Sequence, residues 1–203
     1  MEARAIALAL SSRFGAASSF RLGAKEPQEV DTVFGGCFKR EVFDRVGLFD
    51  ERMVRSQDIE FNKRLKKAGG KIYLAPEIVA EYYPQTTLRG FWNHNFLDGF
   101  WTIHPLSFGI KFFSLRHLFP LFFLSGLLGL LLLSVLLPPF FAFFHFFFWM
   151  YFLVNFFVSL RIALKEGKRL IFFLPWAFFA RHFGYGLGSL KAVFEILIPK
   201  IKP

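Results

Sequence analysis

Residues 118–160 contain no Asp, Glu, Lys or Arg. A helix in a soluble fold keeps a polar face toward water, whereas a bilayer requires an apolar surface all round. At about 1.5 Å per residue, a helix over residues 118–137 spans about 30 Å, the thickness of the hydrocarbon core. Pro138-Pro139 then breaks the run, and residues 140–160 form a second one with His145 and Asn155 as its notable polar members. The pattern predicts a transmembrane hairpin. Lys111 and Arg116 precede it, and Arg161, Lys165, Lys168 and Arg169 follow it, while its turn is uncharged. The positive-inside rule places both flanks in the cytoplasm. The expectation is a multi-pass protein of the inner or plasma membrane whose N-terminal part is cytoplasmic. A pair of buried helices in a soluble fold is the alternative.

The net charge of +10 would suit nucleic acid, but the cations gather at the edges of the apolar block, so the expected partner is membrane and not nucleic acid. Cys37 is the single cysteine, which excludes an intramolecular disulfide and a zinc site built on thiolates. Residues 1–10 carry Glu2 and Arg4 and lack the basic start and long apolar run of a signal peptide. Residues 170–180 form a third apolar segment, which covers about half a bilayer before Arg181-His182. It reads either as a re-entrant or interfacial helix or as a full span to about residue 190. The first reading keeps Lys191, Lys200 and Lys202 inside and avoids burying Arg181, so charge favours it.

The polar part ahead of the hairpin alternates between elements. Residues 11–29 are rich in Gly, Ser and Ala and read as loop. Residues 30–34 suggest a short strand before Gly35-Gly36, which allows a tight turn. Residues 39–46 have helical spacing, and Gly47 ends them. Residues 56–68 form a second helix with Phe61, Leu65 and Ala68 on one face, closed by Gly69-Gly70. Residues 71–75 and 78–83 alternate as strands. The expected fold class is therefore α/β with a modest core that needs something to pack on, followed by an α-helical transmembrane region. The expected divisions are residues 1–88 for the α/β part and 89–116 for an interfacial linker. Residues 117–162 form the hairpin, and residues 163–203 carry the third apolar segment and a basic tail.

Several groups are candidates for chemistry. Asp58 and Glu60 open the 56–68 helix, where acidic residues complement the helix dipole. The functional reading makes one of them a general base at a loop-to-helix junction. Phe91-Trp92-Asn93-His94-Asn95-Phe96 and Gly99-Phe100-Trp101 read as an interfacial aromatic belt or as a surface that stacks sugar rings. His94 and His104 lack a third ligand at useful spacing, so no metal site is expected there. Arg181-His182 with Gly184-Tyr185-Gly186 reads as a boundary anchor or as a contact to a lipid phosphate.

Taken together, Val30-Asp31-Thr32-Val33-Phe34-Gly35-Gly36, Phe38-Lys39-Arg40-Glu41-Val42-Phe43, Gly47-Leu48-Phe49-Asp50-Glu51 and Gln57-Asp58-Ile59-Glu60-Phe61-Asn62-Lys63-Arg64-Leu65 resemble the acceptor-side half of family 2 inverting glycosyltransferases. Pro84, Gly99, Arg116-His117-Leu118-Phe119-Pro120 and the run from Arg181 to Ser189 look like the membrane-bound subgroup similar to succinoglycan-type exopolysaccharide glycosyltransferases. The resemblance implies a GT-A-like acceptor-side half and assigns Asp58 as the catalytic base. The family's Glu-Asp pair reads Gln57-Asp58 here, so only the aspartate carries over. It further implies substrate contacts at Gly35, Gly36, Glu60, Trp92, His94 and Trp101, with His94 standing where the family has glutamine. Enzymes of this kind hold a divalent Mg or Mn ion and the donor diphosphate on an Asp-x-Asp in a nucleotide-binding half. No Asp-x-Asp occurs here. The chain is thus expected to bind no cofactor itself and to work with a nucleotide-sugar donor and a lipid-linked or saccharide acceptor; either it is a fragment or split product of a longer enzyme, or the nucleotide-binding half comes from a separate polypeptide. A non-catalytic membrane anchor or assembly subunit is the alternative, and a small transporter component is a third reading.

Overall fold

The structure is a computed structural model that describes residues 1–15 and 24–198. Its helices are α1 (Glu2–Leu10), α2 (Arg40–Val46), α3 (Gln57–Lys67), α4 (Leu88–Ile103), α5 (Leu115–Leu136), α6 (Pro139–Glu166) and α7 (Leu174–Leu197). Short 3-10 turns cover His104–Phe108 and Lys168–Phe172. The sheet is an antiparallel pair, β1 (Gln28–Glu29) and β2 (Tyr73–Leu74), in which Gln28 faces Leu74 and Glu29 faces Tyr73.

This overturns the expected α/β acceptor-side half. The strand expected over residues 30–34 is absent, although the Val30 N–H donates to the Ile72 carbonyl at 2.9 Å. The strand expected over 71–75 shrinks to two residues, and the one expected over 78–83 does not form. The physical cause is lack of cover. Ile78, Val79 and Tyr83 are 79%, 84% and 83% exposed, so alternation there has no second layer to pack against. Among the described residues, Val30, Leu65 and Ile72 form a small buried cluster beneath α3. The two soluble helices match expectation. α2 ends at Gly47, whose φ of 81° needs glycine, and α3 ends before Gly69 at φ 79°. The loop expected over 11–29 includes residues 16–23, which lie outside the described residues, as do Lys200 and Lys202.

The main core is helical. Ala5, Ile6, Ala9 and Leu10 of α1 pack with Phe91 of α4, Ala163 of α6, Leu170, and Leu174, Ala177, Phe178 and Ala180 of α7. The alternating pairs in α1 place these residues on one helical face, and the alanines let α1 lie close to α7. Glu2 ties the two ends of the polar part together: its carboxylate accepts from the Leu88 N–H at 2.6 Å and caps α4.

The deepest packing joins α4 and α7. A Cβ at Gly99 would overlap the Tyr185 carbonyl, and one at Gly188 would overlap the Phe96 carbonyl. Glycines on both helices therefore let the two backbones touch. Ser189 Oγ donates to the Gly99 carbonyl at 3.1 Å across the seam. On another side of α7, Gly186 sits against the Pro120 carbonyl of α5.

α5 and α6, of 22 and 28 residues, are long and apolar enough to cross a membrane. Only 17% and 11% of their most apolar windows are buried inside the protein, unlike the core helix of a soluble fold. α5 follows the expected run at 118–137 to within three residues, and α6 covers the run at 140–160 and continues past it to Glu166, so that Arg161 and Lys165 lie on its last turns. The segment at 170–180 is a 3-10 turn leading into the front of α7, a continuous helix of 24 residues.

Candidate active site

The groups that converge come from α3, α4, α5 and α7 and from the segments between elements. α3 is entered through a constrained loop. Ser56, its N-cap, has φ 61° and ψ 25°, a left-handed conformation that costs a non-glycine residue about 1–2 kcal/mol. The neighbours of Ser56 hold it there. Gln57 Nε2 donates to the Met53 carbonyl at 2.7 Å, and Arg55 Nη1 donates to Asp98 Oδ1 on α4 at 2.6 Å. Arg52 lies over the Phe108 ring, 5.1 Å from its centre. Asp58 then emerges exposed from the first turn of α3.

Asp58 lines a cavity of about 640 Å³. The same wall includes Thr32, Arg55 and Asp98, and Phe119 and Pro120 belong to it as well. Arg13 follows α1, Arg116 and His117 open α5, and Arg181, His182 and Tyr185 come from α7; all six line it. Four arginines therefore face two aspartates.

Each charged group is oriented. Asp98 holds Arg55 on Oδ1 and His94 Nε2 on Oδ2 at 3.2 Å. Burial alone would raise the Asp98 carboxyl, but the His94 hydrogen bond, the charges of His94 and Arg181 and the Arg55 bond outweigh it and hold the pKa below the usual value. Arg181 donates from Nε to the Gly15 carbonyl at 3.0 Å and from Nη1 to Asn95 Oδ1 at 2.5 Å. Arg116 Nη2 meets Asp31 Oδ2 at 3.2 Å, and Asp31 also takes Lys66 at 2.9 Å. The Lys66 bond holds the Asp31 carboxyl below its usual range. Thr102 donates to the Asp98 carbonyl at 2.8 Å, so the Tyr185 hydroxyl, 2.6 Å away, donates to Thr102.

Both histidines of the wall have assigned tautomers. His182 Nε2 lies 2.8 Å from the Phe14 carbonyl and therefore carries the proton, and its Nδ1 accepts from Tyr151 at 3.1 Å. His117 Nδ1 accepts from the Ser114 N–H at 3.1 Å, which leaves its proton on Nε2.

The other expected site residues lie elsewhere. Gly35 and Gly36 are exposed and not part of the cavity wall, and Gly35 has φ 61°. Glu60 is 6% exposed and makes a two-pronged ion pair with Arg64 at 2.7 and 2.9 Å. Arg64 in turn donates to the carbonyls of Val46 and Leu48, so this pair joins α2 to α3. Trp92 stacks on Phe179 of α7 at 5.8 Å, and Trp101 packs edge-on to His104. His94 stands behind the wall, on Asp98. Sequence reading missed Arg55, Asp98 and Thr102. The His94–Asp98 pair was visible as an i, i+4 spacing, whereas its link to Arg55 is tertiary.

The side chains of the wall do not fit a divalent ion. Asp98 is engaged by Arg55 and His94, arginine predominates, and among the described residues no three His, Cys, Asp or Glu side chains stand together. The arrangement suits an anion beside a carboxylate that can take a proton.

One known protein is similar to this chain over most of its length. It is a dolichyl N-acetyl-α-D-glucosaminyl phosphate 3-β-D-2,3-diacetamido-2,3-dideoxy-β-D-glucuronosyltransferase of Methanococcus voltae. The identity is 28% over 173 residues, which cover 85% of this chain and 50% of that protein. The chain is similar to a glycosyltransferase. It spans about half the length of the relative it matches. No protein-family profile and no solved structure matches it.

Proposed function

We propose that this chain is the acceptor-side and membrane part of an inverting glycosyltransferase that moves a sugar from a nucleotide-sugar to a lipid-linked acceptor in surface polysaccharide synthesis. The nucleotide-binding half, with its divalent metal, is supplied from outside this sequence. The observation that carries the reading is the position of Asp58. It is an exposed carboxylate on the wall of a cavity that extends to the first turns of α5, a helix fit to span a bilayer. The relative in Methanococcus voltae bears a name that places a dolichyl phosphate-linked sugar in its reaction, which supports a lipid-linked acceptor.

In this reading Asp58 accepts the proton of an acceptor hydroxyl as that oxygen attacks the anomeric carbon. The bond to the nucleotide diphosphate breaks on the opposite side, and the configuration inverts. The Arg55–Asp98 pair keeps the loop before α3 in place, and Ser56 turns the helix so that Asp58 faces the cavity. α5 and α6 anchor the cavity at the cytoplasmic face of the membrane, where a lipid-borne hydroxyl arrives.

The test is transfer of radiolabelled sugar into organic-extractable lipid by membranes of the producing cell. Asp58→Asn should lower incorporation by roughly 100-fold or more while the protein stays in the carbonate-resistant membrane fraction. Unchanged incorporation by the variant would remove Asp58 from the role of base.

A further inference from the structure

The cavity that holds Asp58 contains a second chemical region. Arg13, Arg116 and Arg181 reach it from three separate elements: the turn after α1, the start of α5, and α7. That turn is pinned to α7, because Arg181 Nε donates to the Gly15 carbonyl and His182 Nε2 to the Phe14 carbonyl, on the two residues after Arg13. Arg55 is matched by Asp98 and Arg116 meets Asp31, a carboxylate shared with Lys66. Among the described residues Arg13 makes no ion pair. The cavity therefore carries an excess of positive charge, and some of its guanidinium N–H groups are already committed to protein acceptors. Guanidinium groups held in this way lose little freedom on binding an anion, and their planar fork fits the oxygens of a phosphate.

The neighbours of these cations identify the anion. Arg116 and His117 are followed directly by the apolar face of α5, and Phe119 and Pro120 line the same cavity. Phe112, also on the wall, is 3% exposed. The wall thus passes from charge to hydrocarbon within one turn of a membrane-fit helix. A nucleotide diphosphate has no apolar tail to use that surface, whereas a phosphate esterified to a long isoprenoid alcohol has both parts.

We infer that Arg13, Arg116 and Arg181 form a binding site for the phosphate of an isoprenoid-linked acceptor, with the first turns of α5 receiving the start of its hydrocarbon chain. The inference rests on the glycosyltransferase reading for the acceptor's role, but its chemistry is tested by binding alone. Bound in this way, the lipid phosphate is held beside α5 while the sugar it carries extends toward Asp58.

The experiment uses the full chain in lipid nanodiscs, with geranylgeranyl phosphate, geranylgeraniol and uridine diphosphate as probes. Geranylgeranyl phosphate should bind at least roughly tenfold more tightly than geranylgeraniol, and its affinity should fall as salt rises. Arg13→Gln with Arg116→Gln should weaken the phosphate by roughly tenfold or more and leave the alcohol unchanged. Arg116→Lys, which keeps the charge, should recover part of the affinity. Equal binding of phosphate and alcohol by the unaltered protein would overturn the site whether or not the variants fold. So would a double glutamine variant that binds the phosphate as tightly as the original. Competitive displacement of the lipid phosphate by uridine diphosphate would assign the cations to the donor instead. The Asp58→Asn variant should bind the phosphate at least as tightly as the original, because it removes a like charge from the same cavity and none of the anion's ligands. Loss of the base assignment and loss of this site are therefore separate results.

Discussion

Asp98 is the residue on which most of the site's geometry depends. One oxygen takes Arg55 at 2.6 Å and the other takes His94 at 3.2 Å, so a single side chain links α4 to the loop that presents Asp58. Its pKa lies below the usual value because burial is outweighed by His94, Arg181 and Arg55. A depressed carboxyl favours the folded state above its unfolded pKa and loses that contribution as pH falls through the folded one. The melting temperature of the protein should therefore drop more steeply as pH falls through and below the ordinary aspartate pKa, about 3.9, in the original than in Asp98→Asn. At neutral pH the same variant should cost about 1–3 kcal/mol, since Arg55 loses a charged acceptor. Parallel acid profiles in the two proteins would show that Asp98 has no such role. The spacing of His94 and Asp98 on one helix face is legible in the sequence, and so is the acidic first turn that holds Asp58. The Arg55–Asp98 bond joins residues 43 apart and is not.

Among the elements, α7 organises the rest. Its glycines meet α4 on one side and α5 on another, and its polar groups reach the turn after α1, α4 and α6. The same substitution should have opposite effects on two helices. Gly188→Ala puts a methyl group into the Phe96 carbonyl, a backbone atom that cannot turn aside. It should destabilise the protein by about 1–3 kcal/mol in spite of the better helix propensity of alanine. Gly126→Ala and Gly129→Ala on α5 enter open space and should be neutral or stabilising by up to about 1 kcal/mol. Denaturant midpoints in detergent separate the two cases, and a stabilised Gly188→Ala would contradict the seam. Helices were readable from periodicity and glycine stops, as α2 and α3 show. The strands at 30–34 and 78–83 were not, because alternation signals a strand only where a second layer covers one face.

At the scale of the whole molecule, the proposed orientation can be read from one side chain. Cys37 is the sole cysteine and is exposed in the polar part. A membrane-impermeant maleimide should label it in inverted vesicles and leave it unlabelled in intact cells. The reverse pattern would put the cavity on the outer face and remove the nucleotide-sugar from reach. By itself the sequence determined that two consecutive apolar helices follow a polar part, and that a carboxylate opens α3 within that part. Both follow from local properties, namely hydropathy over a bilayer's length and the electrostatics of a helix's first turn. Only the tertiary structure decided that the polar part is helical rather than an α/β layer, because burial depends on what covers a segment. It also brought Arg13, Arg55, Arg116 and Arg181 to the same cavity as Asp58. Those residues are spread from one end of the chain to the other, and packing α1 and α4 against α7 is what makes them neighbours.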